Sequence, residues 1–355
     1  MPSVIKKSSI HVLDLLLVFI PVSVAFFYTN AHPALTFIAS AAGIVGVSHL
    51  IIHATGIIAQ RTSTTVSALI NTTFGNIIEF ILAIFALRAG LVDMVRSSMI
   101  GSIIISVLLL IGVSMFFGGL KYKEQKFNQE SAGVSSTMLI IVVVGLALPS
   151  MYNLLKNEPA PAMSLSVSVV FTIVYVLGLL YMLVTHKHLF PTKQSMWEPT
   201  AYPWSLPTSV ILLLIAVGLG AYMSYILVET VTPLVNEVGL TERFVGLVFV
   251  ALLTNIPEHI TAVNYARKNN MTMSLEIGMS SALQIALFVM PVLVLLSPVI
   301  MGGTLDLVFS PFSLIALVMT AMIANYISTD GVCHWLEGVQ LIAVYLLIAI
   351  AFFFI

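Results

Sequence analysis

Run after run of roughly twenty apolar residues, separated by short polar breaks, leaves this chain few ways to fold. A helix that crosses a bilayer needs about 20 such residues, and the punctuation by Pro, Gly and charge predicts eleven of them. The predicted spans are M1 (about 12–28), M2 (34–59), M3 (65–87), M4 (94–117), M5 (133–154) and M6 (163–184). After a longer break come M7 (207–235), M8 (243–266), M9 (271–296), M10 (309–326) and M11 (338–355). Only 8% of the 355 residues are charged, against about 25% in soluble domains. Mean hydropathy is +1.08. The expected fold class is therefore an all-α polytopic membrane protein seated in a lipid bilayer. The N-terminal MPSVIKKSSI resembles the start of a signal peptide, but no small-residue cleavage site follows, so M1 is read as a retained helix.

Charge settles orientation and excludes some partners. With the N-terminus inside, the inner segments hold ten Lys and Arg residues (Lys6, Lys7, Arg61, Lys121, Lys123, Lys126, Lys187, Lys193, Arg267, Lys268). The outer segments hold four: Arg88, Arg96, Lys156 and Arg243. The positive-inside rule then predicts a cytoplasmic N-terminus and an outside C-terminus, in a cell membrane. A net charge of −1 argues against nucleic acid as a partner. Cys333 is the single cysteine; it allows no internal disulfide and reads as a small buried hydrophobe.

Against this apolar background two stretches stand out: Gly75-Asn76-Ile77-Ile78-Glu79 in M3 and Thr254-Asn255-Ile256-Pro257-Glu258 in M8. A carboxylate at the centre of a membrane helix costs about 2.5–3.5 kcal/mol on insertion scales. Bearing that cost twice in one pattern implies use. A spacing of three puts each Asn amide and Glu carboxylate on one helix face.

The two Glu residues are 179 apart, and other features recur at that offset: Val66 with Val245, Asn76 with Asn255, Ser102 with Ser281. Each Glu helix is followed by one dotted with polar residues, Gly101-Ser102-Ile103-Ile104-Ile105-Ser106 in M4 and Ser280-Ser281-Ala282-Leu283-Gln284 in M9. M2–M6 and M7–M11 are thus read as two five-helix repeats. An odd number of crossings makes the second inverted, as in secondary transporters that bind substrate near the midplane between repeats. The expected division is M1 over 1–32, the first repeat over 33–187, a linker over 188–205 with Pro191, Glu198, Pro199 and Pro203, and the second repeat over 206–355.

Carboxylate, amide and hydroxyl oxygens are hard ligands suited to calcium or a similar cation. Glu79 and Glu258 supply charge. Asn76, Asn255, Ser102, Ser281 and Gln284 are candidate oxygen donors, and Ser106 is a weaker one. Pro257 lacks an N–H, which leaves the Leu253 carbonyl as a further donor, and Gly75 admits close backbone approach. A buried Glu without its cation holds a proton, so protons and a divalent cation competing for two carboxylates suffice for antiport. His259 adjoins Glu258 and is a candidate for proton coupling. His49 and His53 lie four apart on M2, a metal-like spacing, but no Glu follows His49, so they read first as an interhelical or pathway pair. Glu229 reads as an interface cap.

These motifs and their flanks resemble the calcium/proton exchangers, the CAX family of the larger cation/calcium exchanger superfamily. The resemblance rests on residues 71–79 (Asn71-Thr72-Thr73-Phe74-Gly75-Asn76-Ile77-Ile78-Glu79), the loop Gly118–Asn128, and Thr185-His186-Lys187. It rests also on Gln284–Val289 and on Asp330-Gly331 with Trp335-Leu336-Glu337-Gly338. It implies eleven helices, Glu79 and Glu258 as cation and proton carriers with Asn76 and Asn255 beside them, and long M2 and M7 that move as gates. Calcium and protons would be the substrates, with no resident cofactor and no enzymatic reaction. Four features depart from the family pattern. Thr254 replaces a Gly, Pro257 occupies a usually small position, Ser106 stands where Asn is common, and the acidic segment between M6 and M7 is reduced to Glu198. The alternatives are a sodium/calcium exchanger of the same superfamily, a passive cation channel, or an intramembrane metal-dependent enzyme using His49 and His53. No nucleophile or zinc-protease signature supports the enzyme.

Overall fold

The computed structural model describes residues 12–62, 67, 70, 73–186, 189 and 204–354. Several residues used above lie outside that set: Lys6, Lys7, Val66, Asn71, Thr72, Lys187, Pro191, Lys193, Glu198, Pro199 and Pro203, with the predicted start of M3. The described residues form helices α1 (Val12–Tyr28), α2 (Pro33–Arg61), α3 (Ile77–Arg88), α4 (Val92–Lys121), α5 (Gln129–Lys156) and α6 (Pro161–Thr185). The rest are α7 (Leu206–Val238), α8 (Glu242–Ala266), α9 (Met271–Met301), α10 (Pro311–Ile327) and α11 (Trp335–Phe354). Eight of these, α2, α4 to α9 and α11, are long and apolar enough to cross a membrane. The chain is thus a multi-pass helical membrane protein. Two two-residue strands, β1 (Gln125–Lys126) and β2 (Val332–Cys333), pair antiparallel and join the loop after α4 to the loop before α11.

Helix limits follow local chemistry. Asn128 Oδ1 accepts the amides of Glu130 and Ser131 at 3.0 and 3.1 Å, which starts α5 four residues before the predicted Gly133. Ser310 Oγ accepts from Ser313 N at 3.1 Å, and Pro311 takes the first helical position. That combination moves the start of α10 to Pro311 from the predicted Phe309. The first seven residues of α1 are a 3₁₀ turn, Val12–Val18. Pro21, lacking an N–H, removes the bond that would extend the α ladder back to Leu17. The largest difference is at M3, predicted as one continuous helix: Thr73 and Phe74 are helical, the chain turns at Gly75 and Asn76, and a new helix, α3, starts at Ile77.

The chain divides into two compact units, Met1–Leu82 with Thr192–Leu234, and Ala83–Pro191 with Val235–Ile355. In the first, α1 lies on α2 so closely that a Cβ on Gly46 would sit 2.9 Å from the Leu17 amide nitrogen. Helix α7 meets α2 where Met223 covers Gly43. In the second unit α4 is the enclosed element: Met94, Met99, Ile100, Ile103, Ile104, Ile105 and Leu108 are at most 1% exposed. Its neighbour α8 approaches through glycine. A Cβ on Gly101 would meet the Leu247 carbonyl oxygen at 2.3 Å, and one on Gly246 would meet that of Met94 at 2.5 Å. Lipid gives no hydrophobic drive to bring helices together, so small residues that let backbones touch carry the packing. Helix α6 presents the opposite character, with Val169, Val170, Ile173, Val176, Leu177 and Leu180 exposed as an apolar face. Cys333 is buried on β2, and burial with Glu337 and Asp330 nearby pushes its thiol up to about 12. It is therefore inert at neutral pH, in keeping with its reading as a small hydrophobe.

Candidate cation site

In the first unit, Asn76 ends the turn and its carbonyl accepts the Phe80 amide at 3.0 Å. It thereby occupies the N-cap of α3, and Glu79 is the third residue inside. Both side chains are buried, at 7% and 3% exposure. A carboxylate in the first turn faces the positive end of the helix dipole. An interrupted helix whose end aims at a ligand is a recurrent device in transporters. Ile78, between the two polar residues, packs onto α7: a Cβ on Gly220 would lie 2.1 Å from Ile78 Cδ1. Gly75 supplies the turn.

In the second unit the same Asn-x-x-Glu pattern lies inside α8, which runs unbroken from Ala251 to Ala266 through Pro257. The three-residue spacing does put Asn255 and Glu258 on one face. Pro257 cannot donate to the Leu253 carbonyl, so the ladder lacks one bond there. Asn255 is 1% exposed and is fixed from three sides. Its Nδ2 donates to Ala251 O at 2.8 Å, and Ser102 Oγ of α4 and Thr254 Oγ1 each lie at 3.3 Å. Ser281 Oγ of α9 donates to Asn255 Oδ1 at 3.4 Å, and Ser106 Oγ reaches Ser281 Oγ at 3.4 Å. Thr254 Oγ1 turns back to Val250 O at 3.1 Å. His259 Nδ1 donates to Asn255 O at 2.8 Å. Glu258 Oε2 and His259 Nε2 are buried with no hydrogen-bond partner among the described residues. Gln284 is also buried, with Nε2 donating to Ser280 Oγ at 3.3 Å.

The structure thus gathers Asn255, Ser102, Ser281, Thr254 and Ser106 into one cluster of hard oxygens beside Glu258. Ser106, the weaker candidate from sequence, belongs to this cluster through Ser281. Sequence reasoning missed the π-helical turns that interrupt the helices around it. One, Val245–Val250, leads into the α8 motif; of two others, Ile105–Leu110 in α4 follows Ser102 and contains Ser106, and Ile285–Val289 in α9 follows Ser281. Their starts, Ile105 and Ile285, are 180 residues apart, close to the offset of the Glu pair. Such turns recur at functional sites, but no Gly or Pro marks these two starts, so the sequence carries no signal for them.

The described residues of this multi-pass helical protein thus hold two Asn-x-x-Glu motifs, the second beside a hydroxyl-amide cluster. The chain belongs to the family described as "Sodium/calcium exchanger protein", whose pattern matches residues 32–184 and 208–354. It is similar to a "Ca(2+)/H(+) antiporter" of Aphanothece halophytica, with 37% identity over 357 residues covering 96% of this chain and 95% of that one. It is also similar to "Ca(2+)/H(+) antiporter ChaA" of Bacillus subtilis (strain 168), with 37% identity over 292 residues, 81% of this chain and 83% of that one. Among solved structures, native YfkE superposes with a TM-score of 0.83 at 31% identity, covering 97% of this chain and all of that one.

Proposed function

We propose that this protein is a secondary active antiporter that exchanges calcium for protons by alternating access. Glu79 and Glu258 bind the cation when ionised and carry protons when it leaves. Asn76 and Asn255 serve beside them, with Gly75 and Thr254 contributing at the backbone and Ser102, Ser281 and Gln284 adding oxygens. His259, its Nδ1 held by the Asn255 carbonyl, takes part in proton coupling. The observation that carries this reading is Glu258: a carboxylate on a membrane helix, its Oε2 buried and unpaired, beside amide and hydroxyl oxygens. A buried charge of that kind is retained where it pairs with something that comes and goes. The names of the two 37% identical relatives support calcium and protons as that something.

The proposal includes eleven crossings, with α1 outside two inverted repeats at 33–187 and 206–355, the N-terminus cytoplasmic and the C-terminus outside. Two observations support the repeats: the family pattern matches in two segments, 32–184 and 208–354, and the π-turns of α4 and α9 recur at nearly the repeat offset.

Sealed vesicles with an imposed pH gradient test the reading. Calcium uptake should follow the gradient, ignore sodium, and fall to background in Glu79→Gln and in Glu258→Gln. Uptake that follows a sodium gradient and ignores pH would assign the chain to the sodium-coupled branch of its family instead. Repeating the assay with manganese determines the breadth of cation choice.

A further inference from the structure

The polar cluster on α1 and α2 plays no part in the scheme above. His49 Nδ1 lies 3.1 Å from Asp14 Oδ1 of α1, and His49 Nε2 lies 3.0 Å from His53 Nε2, one turn along α2. The two rings are nearly perpendicular, at 81°. The Asp14 carboxylate only accepts, so it takes the Nδ1–H of His49 and fixes the tautomer, leaving the lone pair of His49 on Nε2. The Nε2 of His53 lies within hydrogen-bond distance of it. Without a cation, His53 Nε2–H donates across the gap. With His53 protonated on Nδ1 instead, two lone pairs converge on one point.

We propose that His49 and His53 bind a first-row divalent cation of the zinc class through their Nε2 atoms, with Asp14 orienting His49 from its other nitrogen. Two nitrogens about 2.0–2.1 Å from one tetrahedral zinc ion are about 3.4 Å apart, a few tenths of an ångström beyond the observed 3.0 Å, so the ion enters with a small opening of the two rings. Histidines four apart on a helix present that pair to one ion. Metal-binding imidazoles commonly donate their other N–H to a carboxylate. The sequence spacing alone favoured an interhelical role; Asp14 changes the balance because it supplies that outer partner from a different helix. His49 is buried, with its side chain 7% exposed, while that of Asp14 is 19% exposed and His53 is half-buried. The ion therefore arrives from the His53 side. Among the described residues no group of three or more His, Cys, Asp or Glu side chains surrounds one point, so the two imidazoles are the proposed protein ligands. Imidazole selects zinc, nickel or copper over calcium, which separates this site chemically from the oxygen cluster around Asn255.

The test uses the purified full-length chain in detergent with excess calcium. Zinc is titrated by calorimetry, and cobalt by its visible absorption. Wild type should bind one zinc, with affinity weakened at least tenfold in His49→Gln and in His53→Gln. Asp14→Asn should weaken it by about 10–100-fold. His53→Cys restores a zinc ligand and should recover binding, which distinguishes ligand loss from misfolding. Glu258→Gln should leave zinc binding unchanged. Absence of zinc binding in wild type overturns the proposal. So does equal affinity in the His variants, or loss confined to Glu258→Gln.

Discussion

The two Asn-x-x-Glu motifs share a pattern and differ in the backbone that holds it. Around Asn76 the chain turns and a helix begins, so Glu79 sits in its first turn. Around Asn255 the helix is continuous, and the amide is instead gripped from outside by Ser102 of α4 and Ser281 of α9. One half sits at the start of a helix and the other inside a helix, gripped by its neighbours. Duplicated motifs therefore need not be duplicated structures: each has found its own way of keeping a polar pair in an apolar helix.

Removal of the tertiary grip should give the largest effect. In Gly101→Val the new side chain meets the Leu247 backbone, which cannot swing aside as a side chain would. Overpacking typically costs 1–3 kcal/mol, and a loss of about 3 kcal/mol is expected here. It would be read as a lowered melting temperature in detergent; an unchanged melt would mean α4 and α8 are not held this way. Next come the two asparagines. Asn255→Ala leaves the Ser281 donor without its acceptor and should lose about 1–3 kcal/mol, whereas Asn76→Ala loses a cap worth about 1 kcal/mol. Serine sharpens the contrast, because it caps well: Asn76→Ser should recover the stability of the first half, and Asn255→Ser should not recover that of the second. Equal behaviour of the two serine variants would erase the distinction drawn above.

A smaller change is expected from the hydroxyls. Ser281→Ala removes the hydroxyl that donates to Asn255 Oδ1 and accepts from Ser106 Oγ, two bonds each worth about 0.5–1.5 kcal/mol, and should raise the calcium concentration for half-maximal uptake by about 2–10-fold. Ser106→Ala, one contact further from Asn255, should shift it less. The smallest effect belongs to Gly220→Ala. The added methyl meets the tip of Ile78, which can change rotamer, and Val47 Cγ1 at 3.2 Å, which needs to give by only a few tenths of an ångström, so stability should fall by about 1 kcal/mol. A large loss of uptake there would show that the Ile78 contact positions Glu79.

Much of this was readable in advance. Apart from M3, the apolar runs predicted helices whose centres lie within a few residues of those observed, and M8 was placed to within a residue, because bilayer thickness fixes the length of a crossing. The break in M3 was encoded too: Asn followed three residues later by Glu, ahead of an apolar run, is a helix-start signature. The same signature at Asn255 lies within a helix, so the signature alone does not predict the break. What separates them locally is Gly75, a poor helix former, in place of Thr254 behind Ala251-Leu252-Leu253. Asp14 was overlooked because a single carboxylate near the start of M1 has no meaning until α2 brings His49 against it.

The sequence by itself determined the class of fold, the polar pairs and their duplication. These rest on composition and on short-range periodicity, which every segment carries alone. The tertiary structure decided which motif starts a helix and which is threaded through one. It also decided which hydroxyls reach Asn255, and that Asp14 meets His49. Those outcomes depend on close approach between helices, at Gly101 and Gly246 for one unit and at Gly46 for the other, and no single segment specifies the neighbour that will touch it.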